Sequence, residues 1–292
     1  MVPCNSSSQS SPQKASQVVS QPVTTVPTSD SFDTDMIKQV EVAKGPASAA
    51  YGSDALGGVI AITTKDAGDF LKGKESYLDA TTGYASSSHQ KMAGITGALR
   101  SGEFENLLRY TWRDGGVTQN YDGDKKEFDI VSQAVLFKSQ WNLSDAQFLK
   151  LTVDYFNEGQ DPDAVDLTKA GSVFNQPITD KDTDNLSLML DHGIALNAPW
   201  VDRIDSKVYY ARTKQTLDQY ASSKYPVRPG NPYVTKNSLD SNGFEQESLG
   251  AQVKFSKALA SQRLAWGLEY EHTDNERTRF KAPTTPGDFV GY

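Results

Sequence analysis

The chain has 292 residues with 29 basic against 37 acidic side chains, a formal net charge of −8, which argues against nucleic acid as a partner because phosphate binding needs a basic face. Hydrophobic residues make up 37%, and no unbroken apolar run approaches the ~20 residues of a membrane helix, so a helical membrane protein is excluded. A β-barrel stays open, since only alternate residues of its strands face lipid.

Residues 1–35 are rich in Ser, Gln, Thr, Val and Pro, a composition that cannot build a core and predicts a disordered leader. No basic stretch followed by an apolar one marks a secretory signal there. Cys4, the only cysteine, sits too near the start for a lipidation site, and one cysteine excludes both an internal disulfide framework and a multi-cysteine metal site. Residues 36–72 open with a β-branched run, Val40–Val42, that stops at the breaker cluster Lys44-Gly45-Pro46. Tyr51, Gly52 and Gly57-Gly58 follow, and a second run spans Val59–Thr64. The segment reads as strand, glycine-rich turn, strand, its glycines allowing close backbone approach.

From about Glu75 the sequence becomes a series of alternating segments. Leu78, Ala80, Thr82 and Tyr84 share one parity, as do Leu108, Tyr110 and Trp112, then Leu149, Leu151, Val153 and Tyr155. Leu186, Leu188 and Leu190 repeat the pattern, and Leu264, Trp266, Leu268 and Tyr270 close it. This is the period-two signal of strands with one apolar face. It predicts about nine strands, near 77–84, 92–100, 104–113, 129–141, 146–157, 184–192, 202–213, 246–256 and 262–272. Most are about 10 residues long, the length of a tilted membrane-crossing strand and longer than the ~5–6 of soluble sheets.

The links alternate in length from the third strand on. Short ones fall near Ser101-Gly102, 142–145, 193–201 and 257–261, and long ones at 114–128, 158–183, 214–245 and from 273. Tight turns on one side and long loops on the other are the habit of outer-membrane barrels. Tyr84, Tyr110, Trp112, Tyr155 and Tyr270 fall toward the predicted outer ends, and Trp141, Trp200 and Phe255 toward the inner ends, as interfacial aromatic girdles would. The fold class expected is all-β: a partial transmembrane antiparallel β-barrel of about nine strands over 73–292, preceded at 36–72 by a plug remnant.

The run Val40-Glu41-Val42-Ala43-Lys44-Gly45-Pro46, then Tyr51-Gly52 and Ala55-Leu56-Gly57-Gly58-Val59, resembles the end of the plug domain in TonB-dependent outer-membrane receptors. The resemblance covers about 36–292. It implies a plug end and the first two-fifths of a barrel of about 22 strands, with Gly45, Pro46, Tyr51, Gly52, Gly57 and Gly58 setting the plug's turns in a structural role. It also implies a Gram-negative outer-membrane location, partnership with lipid and with a TonB complex, and an iron-bearing ligand. The expectation is a chain holding part of such a receptor and unable to transport alone. The continuation Thr63-Thr64-Lys65-Asp66-Ala67-Gly68-Asp69-Phe70-Leu71 resembles the branch that takes haem or iron from haemoglobin, transferrin or lactoferrin, so haem enters as transported ligand, with no resident cofactor implied.

No catalytic pattern survives inspection, and a non-enzyme is expected. The glycines at 45 and 52 lack the Lys-Ser/Thr of a phosphate loop. Asn120, Asp122 and Asp124 lack the glycine and glutamate of a calcium loop, and with Asp180, Asp182 and Asp184 they read as solvated acidic loops. His89 and His272 fall on or beside outer loops, where an imidazole can ligate haem iron; His192 falls near an inner turn. Two alternatives remain open: a siderophore or cobalamin receptor of the same architecture, and a soluble all-β adhesion or carbohydrate-binding protein, which has no account of the one-sided long loops.

Overall fold

A computed structural model describes residues 13–14, 34–44, 58–116, 128–162, 178–196, 198–226, 233–259 and 262–284. Two sheets are present among them. In the small one, β2 (Ile37–Lys44) and β3 (Gly58–Thr64) pair antiparallel, with Val40 opposite Ile62 and Lys44 opposite Gly58, and the short β1 (Gln13–Lys14) adds to the free side of β3. The two β-branched runs are strands as expected, and they pair with each other on either side of the glycine-rich segment. A short helix, α1 (Ala67–Leu71), follows at once.

The large sheet is an antiparallel meander of nine strands in sequence order. It runs through β4 (Ser76–Ala85), β5 (Gln90–Ser101), β6 (Phe104–Gly116), β7 (Phe128–Ser144) and β8 (Gln147–Pro162). It continues with β9 (Ile178–Ala195), β10 (Arg203–Pro226), β11 (Tyr233–Ala258) and β12 (Arg263–Thr284). Every segment expected from the alternation is a strand, each paired with its chain neighbour. The sheet does not close: β4 and β12 are its two edges.

Burial is inverted relative to a soluble sheet. The apolar parity is the open face, with Leu78 76% and Leu268 79% exposed and Leu108, Leu151, Leu188, Leu190 and Trp266 also exposed. On the opposite parity sit buried polar groups: Thr111 (0% exposed), Thr96 (1%), Thr152, Arg109, Lys138 and Asp191. Water would not leave so continuous an apolar face bare, whereas lipid selects it and leaves the lumen polar. On β7 the apolar parity runs from Val131 to Trp141, roughly 34 Å along the strand, or roughly 24 Å of height at a tilt of ~45°, close to the apolar band of outer-membrane barrels. The sheet is part of a transmembrane β-barrel wall.

Aromatic residues mark both borders of that band. Near the short turns, Phe104 stacks on Trp141 (5.5 Å, 13°) and Phe255 on Trp266 (5.8 Å, 13°). Tyr84, Tyr110, Trp112, Tyr155 and Tyr270 lie toward the other end.

The strands differ from the sequence expectation in where they stop. β10 and β11 stay paired from Arg203↔Ser256 to Pro226↔Tyr233, so most of 214–245 is ladder, and β12 runs past 273 to Thr284. The physical reason lies in what alternation reports. Above the apolar band both faces meet water, so Arg212, Lys214 and Thr216 on one face oppose Thr213 and Gln215 on the other. The backbone ladder continues where the side-chain pattern fades.

Candidate functional site: the plug seat

α1 begins after Asp66, which is extended (φ −107°, ψ 169°) and whose N–H donates to Asp69 Oδ2 at 2.8 Å. Lys72, left-handed at φ 45°, ends it. Its apolar side, Ala67 and Leu71, is buried with Met36 against Ala98, Leu107 and Leu136 of the wall, and Phe70 meets Tyr77 at 5.3 Å. This contact identifies the inward face: α1 packs on the same parity that carries the buried polar groups.

Two acids of the small unit meet four cations of the wall. Lys138 Nζ donates to Asp66 Oδ1 at 2.9 Å and to the Thr64 carbonyl at 3.0 Å, and Lys150 Nζ lies 3.6 Å from the same carboxylate. Asp35 Oδ2 accepts from Arg109 Nη2 at 3.0 Å and pairs with Arg113 at 2.8 Å. Arg109 is further fixed by Thr96 (2.7 Å) and Thr111 (3.1 Å). Burial raises the Asp66 carboxyl, but Lys138 and Lys150 outweigh it and hold the group below its ordinary value. Each plug-side carboxylate is met by two lumen-side cations, and this pairing seats a charged segment inside a low-dielectric wall.

The residues singled out in the sequence are distributed differently. Gly45, Pro46, Tyr51, Gly52 and Gly57 lie outside the described residues, as do Asn120, Asp122 and Asp124, and Gly58 opens β3. His89 sits left-handed (φ 51°) in the β4–β5 turn, its Nδ1 3.1 Å from the Tyr84 hydroxyl. His272 lies on the outward face of β12, its Nε2 3.2 Å from Asp274 Oδ2. Because these strands form opposite edges of the sheet, the structure does not bring the two histidines together. His192 contacts Gln147 Nε2 at 2.8 Å. Asp35, Asp66, Arg109, Arg113, Lys138 and Lys150 escaped the sequence reading. One signal was available: all four cations have the polar parity of their strands, and Asp66 lies within the segment 63–71 already singled out.

A polar-lumen barrel wall with a small sheet and helix seated on its inner face defines a plug-and-barrel membrane protein. The family model described as TonB-dependent Receptor Plug Domain matches residues 13–59. A hemin receptor of Yersinia enterocolitica is 30% identical over 246 residues, covering 82% of this chain and 33% of that protein. A hemoglobin and hemoglobin-haptoglobin-binding protein B of Haemophilus influenzae is 39% identical over 95 residues, covering 32% and 9%. Among solved structures, the copper transporter OprC superposes with TM-score 0.58 at 15% identity over 82% of this chain and 33% of its own. The FrpB iron transporter of Neisseria meningitidis gives 0.55 at 14% over 86% and 50%. At such identities these structures speak for the fold alone. By its plug match and these relatives the chain is similar to the TonB-dependent receptors, and it spans about a third of the length of the hemin receptors it matches.

Proposed function

We propose that this chain supplies the plug end and the first part of the wall of an outer-membrane receptor that takes up haem, or iron from host haem proteins, with energy delivered through TonB. The observation that carries the reading is the match to hemin receptors across 82% of the chain, together with the plug match that leads into it. The seat supports a division into a plug portion up to about residue 72 and a barrel wall from 73, and the plug match reaches back to residue 13, into the stretch expected as leader. In this reading Asp35 and Asp66 keep the end of the plug fixed to β6, β7 and β8, so movement that opens a path belongs to plug residues before them. Of the two candidate haem ligands, His89 stands in an outer turn, whereas His272 faces away from the lumen; His89 is the better candidate. Growth of a porphyrin-requiring Gram-negative host expressing the receptor is expected on hemin and to depend on TonB. Growth on ferric siderophores but not on hemin would contradict the haem reading.

A further inference from the structure

Charges in the outer part of β11 and β12 are sorted by face. Along β12, Arg277, Arg279 and Lys281 share the inward parity, while Asp274 and Glu276 point outward, as do Glu245 and Glu247 of β11. In a chain of net charge −8, three consecutive inward rungs are basic. Among the described residues, the single inward acid beside them is Asp240, which accepts from Arg279 Nη2 at 2.6 Å and Nε at 3.0 Å and pairs with Lys281 at 2.9 Å. Those bonds, Arg279 first, hold its carboxyl well below the usual range. Among the described residues of this face, one carboxylate stands against three cations, an excess of two positive charges. Arg277 lies over the Phe244 ring at 5.6 Å, which orients its guanidinium without neutralising it. Arg279 and Lys281 are 61% and 63% exposed, open to a ligand entering from the outer side. Rungs two residues apart stand roughly 7 Å from one another, so the row presents separate donors to a ligand bearing more than one anionic group.

We infer that Arg277, Arg279 and Lys281 form an anion-binding ladder at the outer mouth of the lumen, taking the carboxylates of an incoming ligand. With the haem reading of the whole receptor, on which this ligand assignment rests, those carboxylates are the two porphyrin propionates. Guanidinium groups bind carboxylates through paired, charge-assisted hydrogen bonds. The ladder also raises the local concentration of an anionic ligand before it reaches the plug.

The test is a binding titration on the receptor in outer-membrane vesicles, with hemin, hemin dimethyl ester and a ferric tricatecholate as probes. The variants are R277Q/R279Q/K281Q and D240N, with the folded state of each checked by its gel mobility before and after boiling. Hemin affinity should fall about tenfold or more in the triple variant while ester binding stays unchanged, and D240N, which frees two cations, should bind hemin several-fold tighter. Equal hemin affinity in wild type and a folded triple variant overturns the ladder and leaves the haem reading standing. If the triple variant does not fold, D240N decides, and unchanged or weaker hemin binding there overturns the ladder. Wild type that binds the tricatecholate and not hemin, with loss in the triple variant, keeps the ladder and removes haem; binding of neither probe overturns both.

Discussion

The two faces of the wall obey opposite rules although their residues alternate one by one along the same strands. Outward, leucines and aromatics lie open, and apart from ring pairs such as Phe104 on Trp141 their partner is lipid. Inward, threonines, arginines and lysines are buried and must find hydrogen bonds or opposite charges, because an unpaired polar group there is costly. Neighbouring residues such as Ser187 and Leu188 share a backbone and meet different solvents. Side-chain parity decides which substitutions the fold tolerates.

The largest expected effect breaks that contrast at one pair of positions. Leu188→Arg places a charge in the middle of the apolar band and should destabilise the folded receptor by about 2–4 kcal/mol. Ser187→Arg, one residue away and facing the lumen, should stay within about 1 kcal/mol. Unfolding titrations in lipid vesicles measure both.

Next comes the plug seat. Asp66→Ala takes from the buried Lys138 ammonium its carboxylate partner and leaves it the Thr64 carbonyl and the weaker pull of Asp154, at a cost of about 2 kcal/mol, whereas Asp66→Ala with Lys138→Met should recover most of it. Faster amide hydrogen exchange in α1 reports the loss. The same contact has a pH signature. The folded carboxyl of Asp66 is depressed, so its contribution is complete above the unfolded value of about 4 and fades as pH falls through the lower folded value. Exchange in α1 should therefore accelerate only below about pH 4.

The lumen also contains a close-fitting joint. A Cβ at Gly250 would collide with the ring of Tyr209 on the facing strand, and Tyr209 crosses that glycine to donate to Glu271 at 2.8 Å. Phe148 crosses Gly193 in the same way and carries Arg203 over its ring at 5.7 Å. Gly250→Ala should cost about 1–3 kcal/mol through overpacking, and Gly250→Ala with Tyr209→Leu should cost less than the single change. Denaturant midpoints compare the two.

The smallest effect lies outside the membrane band. Asp180 pairs with Asp218 across β9 and β10, with Asp161 near them at the end of β8, and burial, then Asp161, Asp182 and Asp218, push the Asp180 carboxyl up to about 6. A raised acid favours its protonated form in the fold, so the penalty is full above pH 6 and disappears below about 4. Asp180→Asn should slow hydrogen exchange at this end of the ladder at pH 8 and leave it unchanged at pH 4.

Nearly all the wall was legible in the sequence because lipid imposes period two on every crossing strand. The hairpin flanking the glycine-rich segment was legible for a related reason, two β-branched runs separated by breakers. The outer reaches of β10, β11 and β12 were not, since with water on both faces Thr213, Lys214 and Gln215 look like loop residues while remaining fully paired. The seat was hidden for another reason. Asp66 and Lys138 are 72 residues apart, and a pair joined by the docking of the plug end on the wall leaves no local pattern. Its halves were visible separately, as an acid in a singled-out segment and a cation on the polar parity.

The most direct test of the central claim follows single cysteines placed in turn from 186 to 191 on β9, with Cys4→Ser, each carrying a fluorescent label in the vesicle-embedded receptor. Labels at 186, 188 and 190 should be quenched by nitroxide lipids and those at 187, 189 and 191 by an aqueous quencher. Aqueous quenching at all six positions would show that the apolar face meets water, and would contradict a lipid-facing wall.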